Sequence, residues 1–164
     1  MRSSPSGDNA AVTLGLEDVR LDDPIVSALT SASVEEMDAR YGGEPGSGPT
    51  PLVREFLPPD GAFVLARIDG RPAGCGGISR LDAETAEVRR MYVAPAARGR
   101  GVAKAILERL LDAARELGYT RARLETGNRQ PEALGLYRRA GFEPVPCWGP
   151  FVDDPRSLCF ELDL

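Results

Sequence analysis

The 164-residue chain reads as an α+β domain: a mixed, mostly antiparallel sheet of six or seven strands flanked by about four helices. Three observations predict it. Strand-like runs separated by short turn signals dominate residues 60–93. An amphipathic segment of helical period follows at 102–117 and leads directly into another strand-like run. A hydrophobic fraction of 42% in a chain of this length supplies one core and leaves no room for two catalytic domains. Residues 1–10, MRSSPSGDNA, lack any apolar run and are expected to be disordered, leaving a single domain over 11–164.

Taken in order, Val12–Val19 is a candidate first strand, and Asp23–Arg40 reads as one or two short helices with Pro24 in a first turn. YGGEPGSGPTPL, residues 41–52, is a loop by its glycine, proline and serine content. FVLARI (63–68), a turn at Asp69-Gly70, AGCGGISRL and then AEVRRMYV (86–93) make three sequential antiparallel strands. Val102, Ile106, Leu110, Ala114 and Leu117 share one helical face, and Gly118 stops the helix. RARLET (121–126) is the next strand, which makes strand–helix–strand a parallel crossover. Pro131–Ala140 is a helix ended by Gly141, and FEPV with SLCFELDL forms a last antiparallel pair.

Charge and composition narrow the function. The net charge is −5, yet residues 1–84 hold 14 acids and 7 bases while residues 85–129 hold 5 acids and 10 bases. A basic centre in an acidic chain suits a small anion bound at one place rather than nucleic acid, which favours a broad positive face. No stretch approaches the roughly 18 apolar residues of a membrane span, so a cytoplasmic protein without membrane association is expected, as a monomer or homodimer. Cys75, Cys147 and Cys159 are odd in number and lack C-x-x-C spacing, so reduced, partly buried thiols are expected and no metal site is signalled. The absence of histidine removes Ser-His-Asp triads, Cys-His pairs and most catalytic zinc sites. Acid–base chemistry is left to carboxylates, Tyr, Cys or Lys.

RRMYVAPAARGRGVAKAILERLL, residues 89–111, runs a strand through an arginine- and glycine-rich turn into the clearest helix. The first N–H groups of a helix have no intrahelical partners and sit at the positive end of its dipole, so the turn Arg98-Gly99-Arg100-Gly101-Val102-Ala103 can wrap a phosphate. Glycine and alanine let the backbone come close, and arginine adds charge. GRGVAK lacks the third glycine of the dinucleotide fingerprint, and nothing matches the P-loop.

RGRGVA resembles the R/Q-x-x-G-x-G/A pyrophosphate loop of the GNAT superfamily of acetyl-CoA-dependent N-acetyltransferases. The flanking AEVRRMYV and the downstream QPEALGLYRRAGF stand in that superfamily's order, and the resemblance spans residues 62–145. Ala103 stands for the final glycine, which the pattern allows, and Gln130 stands where Asn is frequent, with Asn128 two residues earlier. The resemblance implies a sheet whose fourth and fifth strands splay apart, with the pantetheine arm of acetyl-CoA lying between them. It places Met91, Tyr92 and Val93 along that arm, Arg98, Gly99, Arg100, Gly101, Val102, Ala103 and Lys104 around the pyrophosphate, Asn128 and Gln130 nearby, and Tyr137 beside the thioester sulfur.

Acetyl transfer needs a base, because an amine with a pKa near ~10 is protonated at neutral pH. Glu87, six residues before Val93, matches a glutamate used as base in some members, and Glu125 is its rival. Tyr137 is the implied acid for the departing thiolate. The acids of Ser33–Asp38 and of CWGPFVDD (147–154), beside Trp148 and Phe151, suit a cationic amine. A small amine, an amino acid, an aminoglycoside-like compound and a peptide N-terminus all fit the sequence. A domain that binds acetyl-CoA as a sensor without catalysis is the alternative.

Overall fold

A computed structural model describes residues 11–164, so the expected disorder of residues 1–10 lies outside the described residues. After strand β1 (Leu14–Asp18) comes α1 (Pro24–Tyr41), one continuous 18-residue helix. No glycine or proline interrupts it after Pro24. The Asp23 carboxylate caps it, accepting from the N–H of Ile25 at 2.8 Å and of Val26 at 3.4 Å, and left-handed Gly42 ends it.

A meander of β2 (Ala62–Ile68), β3 (Arg71–Arg80) and β4 (Thr85–Val93) follows. Asp69 and Gly70 both take positive φ, 48° and 78°, the geometry of a two-residue hairpin turn whose twist matches the strands. Helix α2 (Val102–Glu116) crosses over to β5 (Arg121–Gly127), then come α3 (Pro131–Arg139), β6 (Glu143–Val145) and β7 (Ser157–Asp163). The described residues hold three α-helices rather than about four, because the segment read as one or two short helices is the single helix α1; short 3₁₀ turns at Val53–Phe56, Pro95–Ala97 and Gly149–Phe151 complete the chain.

The seven strands form one sheet in the order β1-β2-β3-β4-β5-β7-β6, and only β4 and β5 run parallel. Ile106, Leu107 and Leu110 of α2 and Tyr137 of α3 pack with Val64, Val88 and Leu124 in the core on one face. Val26 and Leu29 of α1 pack with Phe56, Phe63 and Cys75 on the other.

Two irregularities in β4 position the site. Its pairing with β5 runs only from Thr85↔Arg121 to Val88↔Leu124, although β4 continues to Val93 and β5 to Gly127. The strands therefore part beyond Val88, as the resemblance implied. On the other side Cys75 faces Tyr92 and Gly77 faces Arg89, so β4 carries one extra residue, a bulge in which Arg90 has φ 59°.

The expectation of reduced thiols is corrected at two cysteines. Cys147 and Cys159 form a disulfide, with Cα atoms 5.2 Å apart. Val145 of β6 pairs with Cys159, and Cys147 lies two residues further along. That proximity comes from the antiparallel return of β7, which spacing in the sequence does not encode. Cys75 is fully buried, and burial pushes its thiol up to about 12.

Candidate active site

The parting of β4 and β5 opens a cavity of about 810 Å³ that passes from the α2–α3 face of the sheet to the α1 face. The β5-facing edge of β4 has no strand partner beyond Val88, so Met91, Tyr92 and Val93 offer backbone groups along the cavity wall. An extended pantetheine arm fits such an edge for the same reason that a strand would.

At the α2 end the chain builds an anion site from backbone. Gly99 and Gly101 have φ of 75° and 78°, a region that favours glycine, and Gly101 is the N-cap of α2 with no capping side chain. The first helical closure is the Ala105 N–H on the Gly101 carbonyl at 3.1 Å. Among the described residues, the N–H groups of residues 99–104 have no backbone acceptor. A pyrophosphate fits this uncapped, positive helix end.

Arg98 points elsewhere. Its Nη2 lies 2.6 Å from Glu36 of α1, its Nε donates to the Val93 carbonyl at 3.1 Å, and its guanidinium is 5.9 Å from the Tyr92 ring centroid. Of the residues expected around acetyl-CoA, Arg100 and Asn128 lie off the cavity, both exposed. The Asn128 N–H is spent on the Arg156 carbonyl at 2.8 Å. Gln130 lines the cavity at the start of α3, and Lys104 lines it while lying 3.6 Å from Glu108.

Tyr137 lies on α3 with only 6% of its surface exposed, edge-on to Phe142 at 5.9 Å between centroids. Its hydroxyl has no hydrogen-bond partner among the described residues, and the side chain borders the cavity. Burial, and then the charge of Glu125, raise its pKa above the ordinary phenol value, so it holds its proton throughout the neutral range.

Glu87 and Glu125 line the same cavity. Val88 and Leu124 sit in the α2-side core, so the alternation of the strands turns both carboxylates toward the opposite face. Glu87 has no ion-pair or hydrogen-bond partner among the described residues. Burial raises its pKa, Arg89 lowers it, and Glu125 and Glu55 raise it further, with a net upward direction. Glu125 is also raised, by burial first, but it accepts from the Ser157 hydroxyl at 2.8 Å.

Much of the acidic wall offered to a cationic amine is already neutralised. Glu36 bridges Arg40 at 2.9 Å and Arg98 at 2.6 Å, and Glu132 lies 2.6 Å from Arg40. Asp154 lies 2.8 Å from Arg156, which hydrogen-bonds it and, with Ser47, holds it well below the usual carboxylate range. Trp148 packs against Phe151 and under Arg123, outside the cavity, whereas Phe151 borders it. Among the described residues, no cluster of three or more His, Cys, Asp or Glu could hold a metal, and no helix is long and apolar enough to cross a membrane.

Arg90 lines this cavity and was missed by the sequence reading. The signal was present: in strict alternation from Val88, Arg90 would point into the α2-side core, and an arginine at an inward position of a strand marks a bulge.

Comparison with known proteins agrees with this geometry. The Acetyltransferase (GNAT) family profile matches residues 31–142. A protein named IAA acetyltransferase from Azospirillum brasilense is 40% identical over 136 residues, which cover 80% of this chain and 88% of that protein. The crystal structure of an acyl-CoA N-acyltransferase from Klebsiella pneumoniae superposes with a TM-score of 0.77 at 28% identity, covering 95% of this chain and 99% of that one. The PaiA N-acetyltransferase from Thermoplasma acidophilum, solved in complex with coenzyme A, shares the fold at a TM-score of 0.68 and 18% identity, covering 93% of this chain and 99% of that one.

Proposed function

The chain belongs to the GNAT acetyltransferase family, and on that premise we propose that it transfers an acetyl group from acetyl-CoA to a primary amine of a small molecule or peptide, by direct attack within a ternary complex. The observation that carries this reading is the placement of two unpartnered, oppositely suited groups on the two faces of one opening. Glu87 is a carboxylate made more basic by burial, on the α1 face; Tyr137 is a phenol that keeps its proton, on the α3 face.

The thioester of acetyl-CoA supplies the activated acetyl group. Glu87 accepts the proton that the ammonium must lose, directly or through one water, a contribution of roughly 10² to 10⁴ in rate. A backbone N–H near Val93 polarises the acyl oxygen, and Tyr137 returns a proton to the departing sulfur. Direct transfer is supported by the cysteines: Cys147 and Cys159 are bonded to each other, and the Cys75 thiol is buried and pushed up to about 12, a poor nucleophile for a covalent route. A sensor that only binds acetyl-CoA would need neither Glu87 nor Tyr137 at the opening.

The test is thiol release from acetyl-CoA across a panel of primary amines, with the acetylated product identified by mass. Acetyl-CoA binding by calorimetry without turnover of any amine would favour the sensor.

A further inference from the structure

Arg90 is set apart from the other arginines. Among the described residues, every other partly buried arginine makes an ion pair: Arg40, Arg67, Arg89, Arg109, Arg121, Arg123 and Arg156. Arg90 is partly buried and has neither an ion pair nor a side-chain hydrogen bond among the described residues. Its backbone carries φ 59°, a region that costs a non-glycine residue of order 1–3 kcal/mol and recurs at ligand sites.

The bulge explains where Arg90 points. Val88, Met91 and Val93 pack with the α2-side core, while Tyr92 packs with the α1-side core and Arg89 lies over Phe56 at 5.4 Å. One extra residue between Arg89 and Met91 therefore puts Arg90 on the α1 face beside Arg89, next to Cys75. Arg89 is fixed there by Glu55 at 3.5 Å, the Pro49 carbonyl at 3.3 Å and Ser79 at 3.4 Å. Burial and the like charge of Arg89 both lower the Arg90 pKa, and the charge of a bound anion would offset both.

Resting on the N-acetyltransferase reading, we infer that Arg90 is the acceptor-binding residue for a carboxylate, and that the acceptor is a small amino acid-type molecule carrying an amine and a carboxylate together. The unpaired guanidinium on the α1 face takes the carboxylate, and Glu87 and Glu125, both without an ion-pair partner among the described residues, face the amine. The strand separates the two functions: Glu87 and Arg90 lie on the same face of β4, either side of Arg89. Arg90 is not part of the pyrophosphate turn, which begins eight residues later at the start of α2.

The experiment compares free amino acids with their carboxamides and with the corresponding decarboxylated amines, using wild type, Arg90→Gln and Arg90→Lys. Wild type is expected to favour the acids in kcat/KM by about 10- to 100-fold, the range of a charge-assisted hydrogen bond. Arg90→Gln collapses that ratio toward one by losing activity on the acids, and Arg90→Lys keeps part of it. The acetyl-CoA dissociation constant stays within about twofold, and the thermal midpoint shows that each variant folds. Equal use of acids and carboxamides by wild type, or equal losses on both in Arg90→Gln, overturns the inference and leaves amine acetylation standing. If no amine is turned over, calorimetry with 3-phenylpropionate in the presence of CoA decides: Arg90-dependent binding retains the carboxylate site while the transfer reading fails, and absent or Arg90-independent binding overturns the site.

Discussion

The two mouths of the opening between β4 and β5 are built by opposite means. On the α2 side the wall is backbone: two left-handed glycines and an uncapped helix end, with Arg98, at the head of that turn, directed to Glu36. On the α1 side the wall is side chain: Glu36 between Arg40 and Arg98, Asp154 with Arg156 and Ser47, Arg89 with Glu55, and unpaired Arg90. Backbone donors hold one constant group and tolerate change in neighbouring side chains. A wall of paired charges is set by the identities of its residues, and under the proposed function it is the wall that would choose the acceptor.

That contrast predicts where substitutions do damage. The largest effect is expected at the backbone mouth. Among the described residues, and apart from its two chain neighbours, no atom lies within 4 Å of a Cβ placed on Gly101, so Gly101→Glu costs the fold chiefly the left-handed penalty of about 1–2 kcal/mol. It should weaken acetyl-CoA binding about 10³-fold, from a like-charge contact of roughly 4 kcal/mol. Calorimetry on a variant with a cooperative melt measures this, and unchanged affinity would remove the pyrophosphate from the helix end.

Next comes Tyr137, the proposed acid between the mouths. Tyr137→Phe keeps the packing on Phe142 and removes the proton, and should lower kcat about 10²-fold with little change in acetyl-CoA affinity. A kcat near wild type across pH, with chemistry rate-limiting, would make Tyr137 a core residue only.

A loss of about 10²-fold in kcat/KM at neutral pH, the low end of general-base assistance because solvent water can replace part of the base, is expected for Glu87→Gln. If Glu87 is the base, as proposed, its raised pKa means that it is lost by protonation at a higher pH than an ordinary carboxylate. The wild-type rate should therefore rise through an acid limb displaced upward, and this limb should vanish in Glu87→Gln. The variant should recover as the amine itself deprotonates toward pH ~10. Glu125→Gln should lose less, and a larger loss there, with acetyl-CoA binding intact, would move the base to β5.

The smallest functional effect should come from the Cys147–Cys159 link. Changing both residues to serine should cost about 2–4 kcal/mol in urea unfolding, since the bond closes a short loop behind the acceptor wall. Acetyl-CoA affinity should stay within about twofold, and a larger change would show that the two mouths are mechanically joined.

Local chemistry made much of this molecule legible from its residues. The hairpin at Asp69-Gly70, the α2 face from Val102 to Leu117, the glycine stops at 118 and 141 and the α2 turn all follow from rules acting over a few residues. Three features depended on chain segments meeting: the disulfide between the end of β6 and β7, the diversion of Arg98 to Glu36 across 62 positions, and the separation of β4 from β5 after Val88. The bulge lies between these cases. Adjacent arginines in RRMYV announced a break in alternation, but the face that Arg90 joins was settled by packing, with Met91 claimed by the α2 core and Tyr92 by the α1 core. Turn and periodicity signals are short-range, whereas the partner of a charge is set by which distant surfaces the fold brings within a few ångströms.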